Sequence, residues 1–108
     1  MRNGIYRIWT RGTHGEASGI VVLKDGTLFA ADRQYAYNGQ YRESGGRFTG
    51  TLLCTRLYPD RKANVPDRDR LHMRLEGASG REFAQLSGTI DEAPSFTLAA
   101  ECAYLGEP

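Results

Sequence analysis

The sequence predicts an all-β protein, an antiparallel up-and-down barrel of about eight strands, and three observations carry that expectation. Apolar and polar residues alternate with a period of two, most cleanly where Leu71, Met73 and Leu75 interleave with His72, Arg74 and Glu76. That period marks half-buried strands. Turn signals recur at short intervals, as Asp25-Gly26, Gly45-Gly46 and the GASG of residues 77–80, which is the spacing of consecutive hairpins. No segment has the length and 3.6-residue period of a helix that could cover a sheet. An open sheet of this size would leave an apolar face and two edges bare, and closure removes both problems. A flattened half-barrel or sandwich is the second architecture these patterns allow.

The first strand is expected over residues 4–10, GIYRIWT. Its faces are Tyr6, Ile8, Thr10 and Ile5, Arg7, Trp9, and the first is the expected core face. Trp9 then points outward as a contact-surface candidate, unless a loop or neighbour covers it. Residues 11–15, RGTHG, read as a turn, and His14 within it has no Cys, Asp or second His at ligand spacing. The chain is organised around residues 19–41. There an apolar run over 20–23 reverses through Lys24-Asp25-Gly26 into a second run over 28–31, turns near 32–34, and enters Tyr35-Ala36-Tyr37-Asn38-Gly39-Gln40-Tyr41. Three strands joined by short turns make a meander.

Ser44-Gly45-Gly46 supplies the next reversal, and a long strand over 47–57 follows with Phe48, Gly50, Leu52 and Cys54 on one face. Gly50 inside that strand is expected to permit a bulge or bend. Residues 58–69 contain Pro59 and Pro66 without any sustained period, so they form the one long connection, suited to a short helical turn or a flap. Strands over 71–76, 82–90 and 95–104 complete the pattern, with turns at 77–80 and 91–94. His72 falls on the polar face, Gly88 interrupts its strand, and Phe96, Leu98, Ala100, Cys102 and Tyr104 share a face. Residues 105–108 read as a frayed tail.

Composition bounds the function. A chain of 108 residues, 40% hydrophobic and 25% charged, is expected to fold as a single domain over 1–108. A net charge of +1 argues against a dedicated nucleic-acid binder, which carries a basic surplus. No apolar stretch approaches the ~20 residues of a membrane-spanning helix, and residues 1–4 lead into a strand without the apolar core of a signal peptide. The expected location is therefore the cytoplasm, with Cys54 and Cys102 as reduced, buried thiols. The segment LYPDRKANVPDRDRLHMR, residues 57–74, mixes Arg61, Lys62, Arg68 and Arg70 with Asp60, Asp67 and Asp69. Such a run reads as a solvated loop with local ion pairs, and an anion-binding patch is the sharper alternative. No catalytic constellation is visible: neither histidine has a partner at metal or triad spacing, Asp91-Glu92 lies in a turn, and no glycine-rich phosphate loop precedes a helix. The expectation is a protein that is not an enzyme and needs no cofactor or metal.

Asn3-Gly4-Ile5-Tyr6, the segment Gly19-Ile20-Val21-Val22-Leu23-Lys24-Asp25-Gly26 with Asp32, and Tyr37-Asn38-Gly39-Gln40-Tyr41 resemble the GrlR-like family of negative regulators of type III secretion gene expression. The resemblance covers residues 3–41 and the strand order beyond, and implies a lipocalin-like barrel, a homodimer, and regulation by binding a transcriptional activator protein. It also implies an interior that holds a lipid-like molecule. Where the family carries an acidic loop after its fourth strand, this chain reads Arg42-Glu43-Ser44-Gly45-Gly46-Arg47, with one acid and two arginines. Like charges facing each other across an interface oppose binding, so the fold and the dimer transfer better than the specific partner.

Two binding readings follow. In the first, an outer face supports a homodimer and a protein partner, and Trp9, Tyr35, Tyr37 and Tyr41 are its surface candidates, with filling of the barrel the alternative for the tyrosines. In the second, the protein carries a small apolar ligand in a lumen lined by Ile8, Val21, Leu52, Met73, Leu98 and Tyr104. Barrels of this strand number are either filled by side chains or hold one small molecule.

Overall fold

The computed structural model describes residues 1–13, 15–58 and 69–107. It is a closed barrel of eight antiparallel strands, each paired with its neighbour in sequence: β1 (Gly4–Gly12), β2 (Gly15–Lys24), β3 (Thr27–Ala31), β4 (Tyr35–Ser44), β5 (Arg47–Arg56), β6 (Arg70–Ser79), β7 (Phe83–Ile90) and β8 (Ala93–Gly106). β8 returns to pair with β1, from Gly12↔Leu98 to Ile5↔Gly106, so the sheet closes on itself.

Local chemistry explains the reversals. Asp25 (φ 51°) and Gly26 (φ 82°) make the β2–β3 turn, and Gly45 (φ 58°) and Gly46 (φ 79°) the β4–β5 turn. Paired positive φ values are what a two-residue hairpin needs to match the strand twist. Asn3 holds the first turn from outside, donating from Nδ2 to Asp25 Oδ1 at 2.8 Å and accepting from the Asp25 N–H at 3.0 Å. Between β3 and β4, Asp32 Oδ1 accepts from the N–H groups of Gln34 and Tyr35 at 2.7 and 2.8 Å, an Asx turn that substitutes for glycine.

The alternation of the sequence becomes an inside and an outside. Phe48, Leu52 and Cys54 of β5, Leu71, Met73 and Leu75 of β6, Ala84, Leu86 and Ile90 of β7, and Phe96, Ala100 and Cys102 of β8 are all buried in one core. The cross-strand pairs Leu52↔Met73 and Ala100↔Leu86 carry that core around the wall.

Several expectations are corrected. The tail is not frayed at its start, because β8 runs to Gly106 and closes on Ile5. β8 also begins at Ala93, inside the expected 91–94 turn, and β2 begins at Gly15, so the first turn is tighter than residues 11–15. Gly50 carries no bulge: β4–β5 and β5–β6 pair through it in continuous register. The register shifts lie instead at Ile5/Tyr6 between β1 and β8 and at Thr89/Ile90 between β7 and β8. The glycines that the curvature requires are Gly39 and Gly77. A Cβ on Gly39 would lie 1.9 Å from the Thr51 carbonyl oxygen, and one on Gly77 2.1 Å from that of Gln85. His14 and most of the 58–69 connection, including Asp60, Arg61, Lys62, Asp67 and Arg68, lie outside the described residues.

Candidate functional site

The two ends of the barrel differ. One end is sealed by side chains: Tyr41 stacks on Phe48 with ring centroids 5.1 Å apart, and Tyr6 meets Tyr104 edge-on at 5.4 Å. The side chain of Met1 is 1% exposed, and its ammonium pairs with Glu43. Tyr6 is fully buried, and its hydroxyl donates to the Arg2 carbonyl at 2.5 Å. Burial pushes its pKa up to about 12, so it stays a neutral donor. Arg2 lies over the Tyr104 ring, 4.3 Å from its centroid, and donates to Glu82 at 2.8 Å. Together these groups close the wall from outside as well as inside.

Above this floor a cavity of about 230 Å³ occupies the interior. Its apolar walls come from all eight strands, and include Val21, Leu28, Leu52, Met73, Leu86 and Phe96. The cavity is not fully enclosed, and the lengths of three strands explain an opening beside β2. β3 has five residues while β2 and β4 each have ten. The β2–β3 ladder therefore stops at Ile20↔Ala31, leaving residues 15–19 of β2 without a partner on that side. Glu16, Ser18, Gly19, Ala31, Asp32 and Gln34 border the resulting notch, and all of them line the cavity.

One hydrogen-bonded pair marks the inner side of this mouth. Tyr37 donates from its hydroxyl to Asp32 Oδ2 at 2.5 Å, while Asp32 Oδ1 is held by the backbone of the turn. Burial, then the hydrogen bond to Asp32, raises the Tyr37 pKa far above the usual phenol value. The hydroxyl therefore remains protonated and fixes the carboxylate at the rim.

The interior is chemically quiet. Cys54 and Cys102 are free, buried and part of the cavity lining. Burial pushes the Cys54 thiol up to about 12 and the Cys102 thiol up to about 11. A nucleophilic cysteine needs the opposite shift. Among the described residues the charged side chain of Arg56 is 7% exposed and reaches Asp69 at 4.0 Å, and no group of three His, Cys, Asp or Glu side chains is placed to hold a metal ion. The arrangement can enclose an apolar molecule.

The residues singled out in the sequence fall into three places. Ile8, Val21, Leu52, Met73 and Leu98 line the cavity. Tyr104 does not: it sits opposite Tyr6 at the sealed end, beside the register shift that closes β8 on β1. Of the four surface candidates, only Trp9 is exposed, at 38%. Tyr35, Tyr37 and Tyr41 share the inner face of β4, where Tyr35 is 1% exposed, Tyr37 borders the mouth and Tyr41 packs on the floor. Their period was evident, but period alone does not say which face is inside; the pairings Tyr37↔Cys54 and Tyr41↔Gly50 do. Sequence reasoning missed Glu16, Ser18, Asp32 and Gln34. Their role depends on β3 being shorter than its neighbours, and the only signal for that was the early Asp32-Arg33-Gln34 turn.

The outer wall is divided. Over β5 and β6 it is polar, with Arg47, Thr49, Thr51 and Thr55 beside Arg70, His72, Arg74 and Glu76 exposed. His72 there lies against Glu92, Nδ1 to Oε2 at 2.5 Å, and Arg74 donates to Asp91 at 3.0 Å. Over β7, β8, β1, β2 and β3 the wall is mixed, with Phe83, Trp9, Ile20 and Phe29 exposed among Arg7, Arg11, Glu16 and Glu101. The register Phe83↔Ala103, Ala103↔Arg7 and Arg7↔Ile20 puts Phe83 and Ile20 in one row with Arg7 between them. Arg11 covers the Trp9 ring at 4.7 Å. No helix among the described residues is long and apolar enough to cross a membrane.

No model of a known protein family matches the chain, and no curated protein matches it as a relative.

Proposed function

We propose that the protein is a non-enzymatic binding protein whose barrel interior takes a small apolar ligand. The observation that carries this reading is the cavity of about 230 Å³, walled mainly by aliphatic, aromatic and sulfur-containing side chains, with polar groups at a notch beside β2. An apolar cavity of about 150 Å³ holds benzene, so this one has room for on the order of nine non-hydrogen atoms. It lies below the ~300 Å³ at which pockets for drug-sized molecules begin, which selects a short alkyl chain or a single ring system over a long lipid. Raised thiol pKa values fit a carrier rather than an enzyme, because the interior then offers no nucleophile at neutral pH. We place the protein in the cytoplasm, where both thiols stay reduced.

The test is organic extraction of the natively purified protein, followed by mass spectrometry, alongside thermal unfolding in rising concentrations of 1-octanol. A stoichiometric apolar compound, or a saturable rise in Tm with 1-octanol, supports the reading. A bare protein whose Tm ignores 1-octanol overturns it.

A second reading, favoured by the exposed Trp9, Ile20 and Phe83 of the outer wall, is a regulator that works by protein contact as a homodimer, as its resemblance to the GrlR-like family implies. Trp9, Ile20 and Phe83 supply the apolar centre. Arg7 and Arg11 on β1, with Glu16 on β2 and Glu101 on β8, give the same face both signs of charge. A two-fold interface can use them by pairing unlike ends of two copies. A transcriptional regulator is the partner class the resemblance implies. Light scattering on a sizing column tests the dimer, and a monomer at micromolar concentration removes the argument from the exposed aromatics.

A further inference from the structure

The stretch of β2 that extends past the end of β3 is a sheet edge, and its backbone carries an inference that goes beyond a small ligand in the interior. The β2–β3 hairpin closes on Lys24↔Thr27, and hydrogen-bonded pairs recur at every second residue of such a ladder, at Val22 and Ile20. Ser18 and Glu16 come next, but β3 ends at Ala31. Their N–H and C=O groups therefore point to the open side, where no backbone group among the described residues meets them. The intervening Ala17 and Gly19 pair instead with Thr10 and Ile8 of β1. Sheet edges are commonly blunted by lysine, proline or a bulge. Residues 15–19 read Gly-Glu-Ala-Ser-Gly, pair with β1 in unbroken register, and are exposed from Gly15 to Ser18. Glu16 and Ser18 share the outer face with their partners Arg11 and Trp9, whereas Ala17 and Gly19 take the inner face and line the cavity with Ala30 and Tyr37.

We propose that this edge docks an extended peptide segment of a partner protein, which adds a strand antiparallel to β2 in the place β3 would have occupied had it continued. Two features select that occupant over a helix or a globular face. The free donors and acceptors recur at every second residue of one strand, a spacing that another extended backbone matches. The side chains of an added strand also alternate between the two faces of the sheet. One set then lies beside Glu16 and Ser18 in solvent and stays polar, while the other enters the cavity mouth beside Ala17 and is apolar. Main-chain pairing supplies the affinity, and the fit of the inward side chains supplies the choice among peptides.

The experiment is amide hydrogen exchange by NMR on the full chain, alone and with acetylated seven-residue peptides carrying threonine at alternate positions and valine, leucine or phenylalanine between them. In the free protein the amides of Glu16 and Ser18 should exchange at least a hundredfold faster than those of Ala17 and Gly19, which β1 holds. At least one peptide should slow Glu16 and Ser18 saturably by tenfold or more, and the same peptide with alternate amides N-methylated should not. Proline is tolerated where a strand's N–H faces outward from the sheet, so Ser18→Pro should fold with its β1 pairs intact and bind that peptide at least tenfold more weakly. Slow exchange of Glu16 and Ser18 in the free protein would show an edge already paired, by the chain itself or by a second copy, and overturns the inference. No added protection from any of the peptides, equal binding of the N-methylated one, or unchanged binding by a folded Ser18→Pro overturns it too. All of these outcomes leave the interior-binding reading standing, because 1-octanol tests that separately.

Discussion

Filling part of the cavity should stabilise the protein, and Ala100→Ile is the substitution to make. Ala100 is 3% exposed, lines the cavity and lies on β8 between Leu86 of β7 and Thr10 of β1. An empty apolar cavity destabilises by about 24 cal/mol per Å³, so 230 Å³ left empty corresponds to at most about 5.5 kcal/mol. The notch admits water, which makes that an upper bound. Isoleucine adds three carbons, whose burial contributes about 2.4 kcal/mol at ~0.8 kcal/mol each. Ordering the longer side chain takes back about 0.5–1 kcal/mol, and a β-branched residue suits a strand. The net expectation is a gain of about 1.5 kcal/mol, or roughly 6–12 °C in Tm for a domain of this size. Scanning calorimetry and urea unfolding with an unchanged m-value read it out. A loss of about 1–3 kcal/mol is what extra carbons do in a filled core, and that result would show that no space exists where the account places it.

Further predictions address the wall and its chemistry. Gly39→Ala should lose about 3 kcal/mol, the upper end for overpacking, because its Cβ would lie 1.9 Å from a backbone oxygen; Gly50→Ala, with nothing closer than 3.3 Å, should lose under about 1 kcal/mol. Equal losses in the two variants, measured by thermal unfolding, would refute the assignment of curvature to Gly39. Native Cys54 and Cys102 should resist iodoacetamide at pH 8 and react only on unfolding, because burial holds their pKa values near about 12 and 11; rapid double labelling counted by intact mass would contradict this. Glu92 is held at about 2 by hydrogen bonds from the His72 side chain and backbone. A depressed carboxylate contributes stability above its unfolded pKa and loses it as pH falls toward the folded value. The Tm difference between the wild type and Glu92→Gln should accordingly shrink from pH 5 to pH 2, and a difference that stays constant over that range would show that the contact does not depend on charge.

What the sequence disclosed and what it hid follow from the physics of each signal. Alternation along Leu71, Met73 and Leu75 and the positive-φ turns at Gly26 and Gly45-Gly46 are local properties, so strand number, antiparallel pairing and closure were legible. The side of the sheet on which Tyr35, Tyr37 and Tyr41 lie is not local. It is set by the strand opposite, where Cys54 and Gly50 face the core. Gly39 and Gly77 looked no different from Gly50 and Gly88, because the carbonyl that excludes a side chain belongs to a neighbouring strand. Most of the cavity's walls could be read, but its mouth could not. The notch exists because β3 ends at Ala31 while β2 continues on its own side as far back as Gly15.

The central claim is that a small apolar molecule enters the barrel. Methyl-resolved proton–carbon NMR during a titration with 1-octanol tests it most directly. The account predicts saturable shifts at the methyl groups of Met73, Leu52 and Leu86, which line the cavity, with Ala103 on the outer row of β8 unmoved. Shifts confined to Ala103 and the indole of Trp9, or no saturable shift at the interior methyls, would contradict it.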